Sequence, residues 1–245
     1  MSMDDLSTPN LSNAETHVDT VTADAAPSPA SPEGLELRAH DLATQLVGKL
    51  CHDFISPAGA IMSGLDLLED PSAQDMRQEA LNLIKASATK MVTLVHFARV
   101  AFGAATTSEA FNGGQLEKIL SDMYTTMRAE LDFAIPANML FQKPAARALL
   151  NLGLLAGNSL PTGGKATLEA TATDDGLVLT AEARGPRARL KPEAVEGLNG
   201  LPLGDGLNGQ WIQPHWLYSV VQDAGGTLDF HSETDALSFK IILPA

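Results

Sequence analysis

The sequence predicts an α+β protein: an N-terminal antiparallel helical hairpin that forms a four-helix bundle by dimerisation, followed by a mixed α/β domain. Three observations carry this prediction. Apolar residues recur at helical spacing over two consecutive long stretches; an Asp-Pro pair separates the two; and beyond about residue 110 helical segments alternate with short strands closed by glycine turns.

Residues 1–33 are rich in Ser, Thr, Ala, Pro and Asp and lack the apolar periodicity that offsets chain entropy, so they read as a disordered leader. From about Leu35 to Glu69 the apolar positions Leu35, Ala39, Leu42, Leu46, Leu50, Phe54, Ile61, Leu65 and Leu68 mark one long amphipathic helix. Asp70-Pro71 ends it, and Ser72 with Asp75 has the spacing of a capping box opening a second helix that runs to about Phe102. The second stripe contains Met76, Ala80, Leu83, Ser87, Met91, Leu94 and Ala98. Two helices cannot bury two such stripes alone, whereas two hairpins side by side close a four-helix core, so residues 34–104 are expected to form a homodimer.

Residues 105–245 make the second domain. Helices are expected at about 112–130, 143–159 and 214–224, and strands at 131–135, 165–172, 176–183, 226–231 and 236–243. The turns at Thr162-Gly163-Gly164, Asp174-Asp175-Gly176 and Ala224-Gly225-Gly226 punctuate them.

Composition narrows the function. The net charge is −14, and residues 1–34 contribute six acids with no Lys or Arg, which leaves −8 on the remainder. Such a surface lacks the basic face that a nucleic-acid backbone requires. No run is long and apolar enough for a membrane span and the first residues lack a signal-peptide pattern, so a cytoplasmic protein is expected. The lone Cys51 forms no internal disulfide, is expected to be partly buried and inert, and belongs to no zinc-spaced cluster, so no structural metal is expected.

His52 is the candidate catalytic residue. At about 100° per residue it lies roughly 200° from Leu50, on the outer face of the first helix. Gly48, Ser56, Gly59 and Ser63 share that face, and all are small; Ser56 joins His52 and Asp53 as a catalytic candidate, and Gly48, Gly59 and Ser63 are candidates for partner binding. Glycine inside a helix costs on the order of 1 kcal/mol, so a small-residue face around a histidine calls for a reason, and close approach of a partner supplies one. In-line phosphoryl transfer needs the donor near the imidazole nitrogen. Asp53 is placed to hydrogen-bond the imidazole and raise its nucleophilicity. His17, His40, His96, His215 and His231 lack comparable surroundings, and Trp211 and Trp216 are expected in the core.

His52 opens the stretch HDFISPA, with an acidic residue next and a proline five positions on. This resembles the H-box of sensor histidine kinases, although Ile55 and Ser56 stand where kinases commonly have a basic residue and Thr or Asn. The second domain resembles a kinase ATP-binding domain stripped of its nucleotide machinery. NLGLLAGNSLPTGG echoes the N-box, with Leu155 at the position of the magnesium-binding asparagine; an alkyl side chain offers no oxygen to a hard cation. AEARGPRARL stands in place of the adenine-recognising segment without its aspartate, and GDGLNGQW is what remains of the phosphate loop.

The segments LCHDFISPAGAIMSGLDLLEDPSAQDMR, RVAFGA and GPRARLKPE are similar to the ChpT family of alphaproteobacterial histidine phosphotransferases, from about Leu42 to the C-terminus. The resemblance implies a dimeric bundle with a degenerate, histidine-kinase ATPase-like α/β sandwich. It also implies a relay in which His52 takes phosphate from the receiver domain of a hybrid histidine kinase and passes it to response-regulator receivers, among them a cell-cycle transcription factor. Such a relay would require no cofactor on this chain, and magnesium would sit on the partner receiver. Two other readings remain open at this point: a divergent ATP-dependent histidine kinase, and a non-catalytic adaptor that only holds receivers.

Overall fold

A computed structural model describes residues 39–103, 110–204 and 206–245. The expected leader lies outside the described residues, as do residues 104–109 at the expected boundary between the two domains. Two long helices lead, α1 (Ala39–Glu69) and α2 (Arg77–Ala101). They are followed by β1 (Ala110–Asn112), α3 (Gly113–Tyr124), β2 (Ala129–Phe133), β3 (Leu140–Gln142) and α4 (Lys143–Asn158). Then come β4 (Gly164–Thr173), β5 (Gly176–Arg184), α5 (Pro192–Leu198), α6 (Asn208–Asp223), β6 (Thr227–Glu233) and β7 (Ala236–Pro244). Helical hairpin first and α/β sandwich second is the expected order.

The turn between the long helices departs from expectation. Ser72 is not its cap: Asp70 is, accepting from the Ser72 amide at 2.8 Å and from the Ser72 hydroxyl at 2.7 Å. Pro71 enforces this, because its fixed φ suits the first helical position and leaves Asp70 as the capping residue. A short 3-10 stretch, Pro71–Met76, intervenes before α2 starts, and Met76 at that start offers no side-chain cap. Both Met76 and Leu83, read as seam positions, are exposed. The buried positions of α2 are Ala80, Ser87, Phe97, Val100 and Ala101.

The hairpin closes where Gly64 lets α2 approach; a Cβ there would lie 2.6 Å from Ile84 Cγ1 and 3.2 Å from the Ala80 carbonyl. Pro57 is accommodated inside a continuous α1. On α1 the buried residues are Leu46, Pro57 and Gly64, whereas Leu50, Phe54, Ile61 and Leu68 are only half-buried. The closed face is thus rotated by roughly 20–40° from the seam centred on Leu50.

In the second half, β2-β4-β5-β7-β6 form one five-stranded sheet in which β2 runs parallel to β4 and every other pair is antiparallel. α4 carries buried residues from Ala145 to Gly157, including Leu149, Leu152 and Leu155, and shares one core with Leu168, Leu179, Phe239 and Ile241 of the sheet. Alternation along β7 (Leu237, Phe239, Ile241 and Leu243 buried) shows which face meets the helices. The α3 helix is shorter than expected and β2 starts two residues earlier, while α6 begins six residues before the expected start and retains Pro214 inside it.

The hairpin is seated on this layer. Leu46 of α1 clusters with Trp211 and Ile212 of α6. At the end of α2 the Ala101 carbonyl accepts from Asn151 Nδ2 at 3.0 Å and from Trp216 Nε1 at 2.9 Å, and Phe102 meets Trp216 edge to face. The last carbonyls of a helix lack intrahelical donors, and α4 and α6 supply them here. Both tryptophans pack inward as expected.

Candidate functional site

His52 stands near the middle of α1 with its side chain 87% exposed, on the outer face that the helical wheel assigns it. Its Nδ1 lies 3.4 Å from Asp53 Oδ1, while Asp53 Oδ2 accepts from Lys49 Nζ at 2.7 Å. Three charged or ionisable groups therefore form a chain, Lys49 to Asp53 to His52, along little more than one turn of one helix. Pro57 has no amide proton, which leaves the Asp53 carbonyl without its usual donor four residues on, so Asp53 sits at a weakened turn.

The remaining sequence-derived candidates border His52 as expected from the wheel. Ser56, Gly59 and Ser63 are exposed, and so is Gly48. A Cβ built on Gly48 or Gly59 meets nothing within 4 Å, so nothing in this chain requires glycine at either position. That contrasts with Gly64, whose smallness serves the α1–α2 contact. Cys51 is exposed, against the expectation of partial burial. It points along the side of α1 that bears Val47 (58% exposed), Ile55 (71%) and Met62 (58%), a stripe that α2 does not cover.

The residues read as remnants of a nucleotide site do come together. Leu155 of α4, Arg189 and Lys191 after β5, and Gly209 and Gln213 of α6 line a cleft of about 360 Å³. Lys49 lines it too, so the cleft reaches from the α/β layer to the helix that carries His52. Leu155 is 4% exposed and offers the cleft only carbon, with no oxygen for a cation. The glycine-rich segment is occupied internally: the Gly204 amide donates to Glu196 Oε2 at 3.2 Å and the Leu207 amide to Glu193 Oε1 at 3.3 Å. Two carboxylates thus take amides of the kind that elsewhere cradle phosphate oxygens. Backbone amides, its own and that of Leu207, hold the Glu193 carboxyl below its ordinary range. Among the described residues no cluster of His, Cys, Asp and Glu has the makings of a metal site, and no helix is long and apolar enough to cross a membrane.

Lys49 is the residue that sequence reading missed. Its signal was available: Lys49 and Asp53 are four apart on one helix and so share a face. Glu193 and Glu196 gave no such signal, since their partners lie in a loop that sequence spacing does not bring to them.

Known proteins resemble this chain in sequence and in fold. The family described as histidine phosphotransferase C-terminal domain matches residues 113–236. The protein phosphotransferase ChpT of Brucella abortus (strain 2308) is 31% identical over 207 residues, which cover 83% of this chain and 96% of that protein. A solved structure of a bacterial phosphotransferase superposes with a TM-score of 0.74 at 27% identity, covering 84% of this chain and 97% of the other. At 13% identity and a TM-score of 0.42, the histidine kinase AdeS of Acinetobacter baumannii aligns with 79% of this chain over 97% of its own.

Proposed function

We propose, from the premise that this chain belongs to the ChpT-type histidine phosphotransferase family, that His52 is the residue that carries the phosphoryl group. The chain is a phosphorelay protein. In the proposed relay it takes phosphate from the receiver aspartate of a hybrid histidine kinase and delivers it to receiver aspartates of response regulators. The observation that carries this is the exposure of His52 beside Asp53, with open space over Gly48 and Gly59.

The step is a displacement at phosphorus. The imidazole lone pair forms the N–P bond, the bond from phosphorus to the donor carboxyl breaks, and that carboxylate leaves with the electron pair. In the second half a different carboxylate oxygen displaces the imidazole. Asp53 stabilises the positive ring formed between the two halves, and the small neighbours admit the receiver's acidic pocket with its magnesium. Transfer through histidine is close to reversible, so the direction of flow follows the supply of phosphorylated receivers.

ATP plays no direct part in this proposal. Leu155 in the cleft and the internally satisfied amides of Gly204 and Leu207 support that reading. The chain also works as a homodimer. Val47, Ile55 and Met62 of α1, with Leu81 (43% exposed), Val92 (53%) and Val95 (39%) of α2, form apolar stripes that a second hairpin would bury. His52 lies roughly a quarter-turn from the α1 stripe, so dimerisation leaves it accessible.

The proposal is tested by incubating the purified protein with a phosphorylated receiver and, separately, with radiolabelled ATP alone. Acid-labile, alkali-stable label from the receiver on wild type but not on His52→Ala supports it. Label from ATP alone would make the protein a kinase, and retained receiver binding without any transfer would make it an adaptor.

A further inference from the structure

We infer that Lys49 is a positioning residue for phosphotransfer, fixing Asp53 so that His52 presents Nε2, and that the α/β domain contributes by sheltering Lys49. This rests on the reading of His52 as the phosphoryl carrier. The α3 helix supplies an internal comparison. Lys118 and Asp122 have the same four-residue spacing, meet at 3.1 Å and leave their side chains 76% and 38% exposed. Lys49 and Asp53 meet at 2.7 Å with 17% and 29% exposure. Lysine is seldom this covered, and the cover comes from another part of the chain: Lys49 lines the cleft with Leu155 of α4 and with Gln213 and Pro214 of α6. Water screens such a pair less than one on an open surface, which makes its geometry more persistent.

A carboxylate bound to an ammonium group is an acceptor. The bond between the ring and Asp53 therefore runs from Nδ1–H to Oδ1, and the lone pair is on Nε2. When Nε2 forms its bond to phosphorus and the bond to the donor carboxyl breaks, the proton stays on Nδ1 and the new positive charge lies beside Asp53. On return, the acceptor carboxylate forms its bond to phosphorus and the N–P electrons go back to Nε2, with no proton leaving. The charge of Lys49 opposes that of the phosphorylated ring, so its contribution is orientation: it holds Oδ2 and thereby turns Oδ1 toward His52, at the turn that Pro57 weakens.

The test uses the full chain with two readouts. Nitrogen-15 NMR of the His52 ring in the free protein reports the tautomer, and transfer from a phosphorylated receiver reports the rate. Wild type is expected to hold Nδ1–H. Lys49→Met, with Lys49→Gln as a second variant, should move the ring toward the Nε2–H form of free imidazole and slow transfer roughly tenfold. Lys49→Arg should restore both, and Lys49→Met should cost nothing further in an Asp53→Asn background. An unchanged tautomer in both neutral variants, or an equal loss with and without Asp53, overturns the inference. The tautomer is read without any partner, so a wild type with Nδ1–H that accepts no phosphate would count against the carrier reading and not against Lys49.

Discussion

The side-chain amide of Asn151 donates to the Ala101 carbonyl at 3.0 Å and to the Arg147 carbonyl at 2.9 Å, tying the fully buried middle of α4 to the last turn of α2. This joint fixes the hairpin against the α/β layer. Removing a buried donor leaves an acceptor unpaired at a cost of about 1–3 kcal/mol. Asn151→Leu is therefore expected to lower stability by about that much in urea denaturation, while the family's phosphotransfer chemistry, whose proposed residues lie on α1, survives where the protein is folded. A loss below about 0.5 kcal/mol would mean that the Trp216 bond to the same carbonyl suffices.

The glycines of α1 are expected to separate by function. Gly64→Val places atoms against Ile84 and the Ala80 carbonyl, and should cost about 1–3 kcal/mol by overpacking. Gly48→Ala and Gly59→Ala meet open space and should each stabilise the helix by up to about 1 kcal/mol. Gly48→Leu should keep that stability and slow transfer from a phosphorylated receiver. Unimpaired transfer in Gly48→Leu would remove steric access as the reason for the small face.

Ile55 is 71% exposed in the single chain and lies on the stripe proposed to close the bundle. Ile55→Glu would bury a charge in a dimer core, which is strongly unfavourable without a partner. Light scattering should show the wild type as a dimer at micromolar concentration and Ile55→Glu as a monomer. A monomeric wild type would contradict the bundle.

His215 is buried, stacked on Trp211 at 4.4 Å between ring centroids, and its Nδ1 has no hydrogen-bond partner among the described residues. Burial pushes its pKa below the ordinary imidazole value. The unfolded chain therefore takes up a proton that the fold resists. The contribution of His215 is fully present above the ordinary pKa of about 6.5 and is lost as pH falls through the depressed folded value. Urea denaturation at pH 7.5 and 5.5 should show a loss of stability at the lower pH that is smaller in His215→Phe; an equal loss in both would assign the slope to other groups.

Much of this architecture was legible in the sequence because its signals are long. The 31 residues of α1 and the alternation of β7 repeat their pattern often enough to outweigh exceptions. The three-residue strands β1 and β3 and the seven-residue α5 have too few positions to show a period, and were missed. The helix expected near 214–224 begins at Asn208 and carries Pro214 inside it, where a proline ordinarily interrupts the helical pattern. The outward direction of His52 followed from helix geometry alone. Lys49 has the same geometry, yet its significance depends on cover from Leu155, Gln213 and Pro214, which lie more than a hundred residues away in sequence.

The most direct test of the central claim is phosphate transfer from a purified, phosphorylated receiver to the full chain, followed by identification of the modified residue. The account predicts acid-labile, alkali-stable phosphate on His52, absent from His52→Ala and discharged on adding a second receiver. Phosphate on another residue, or label that persists in His52→Ala, would contradict it.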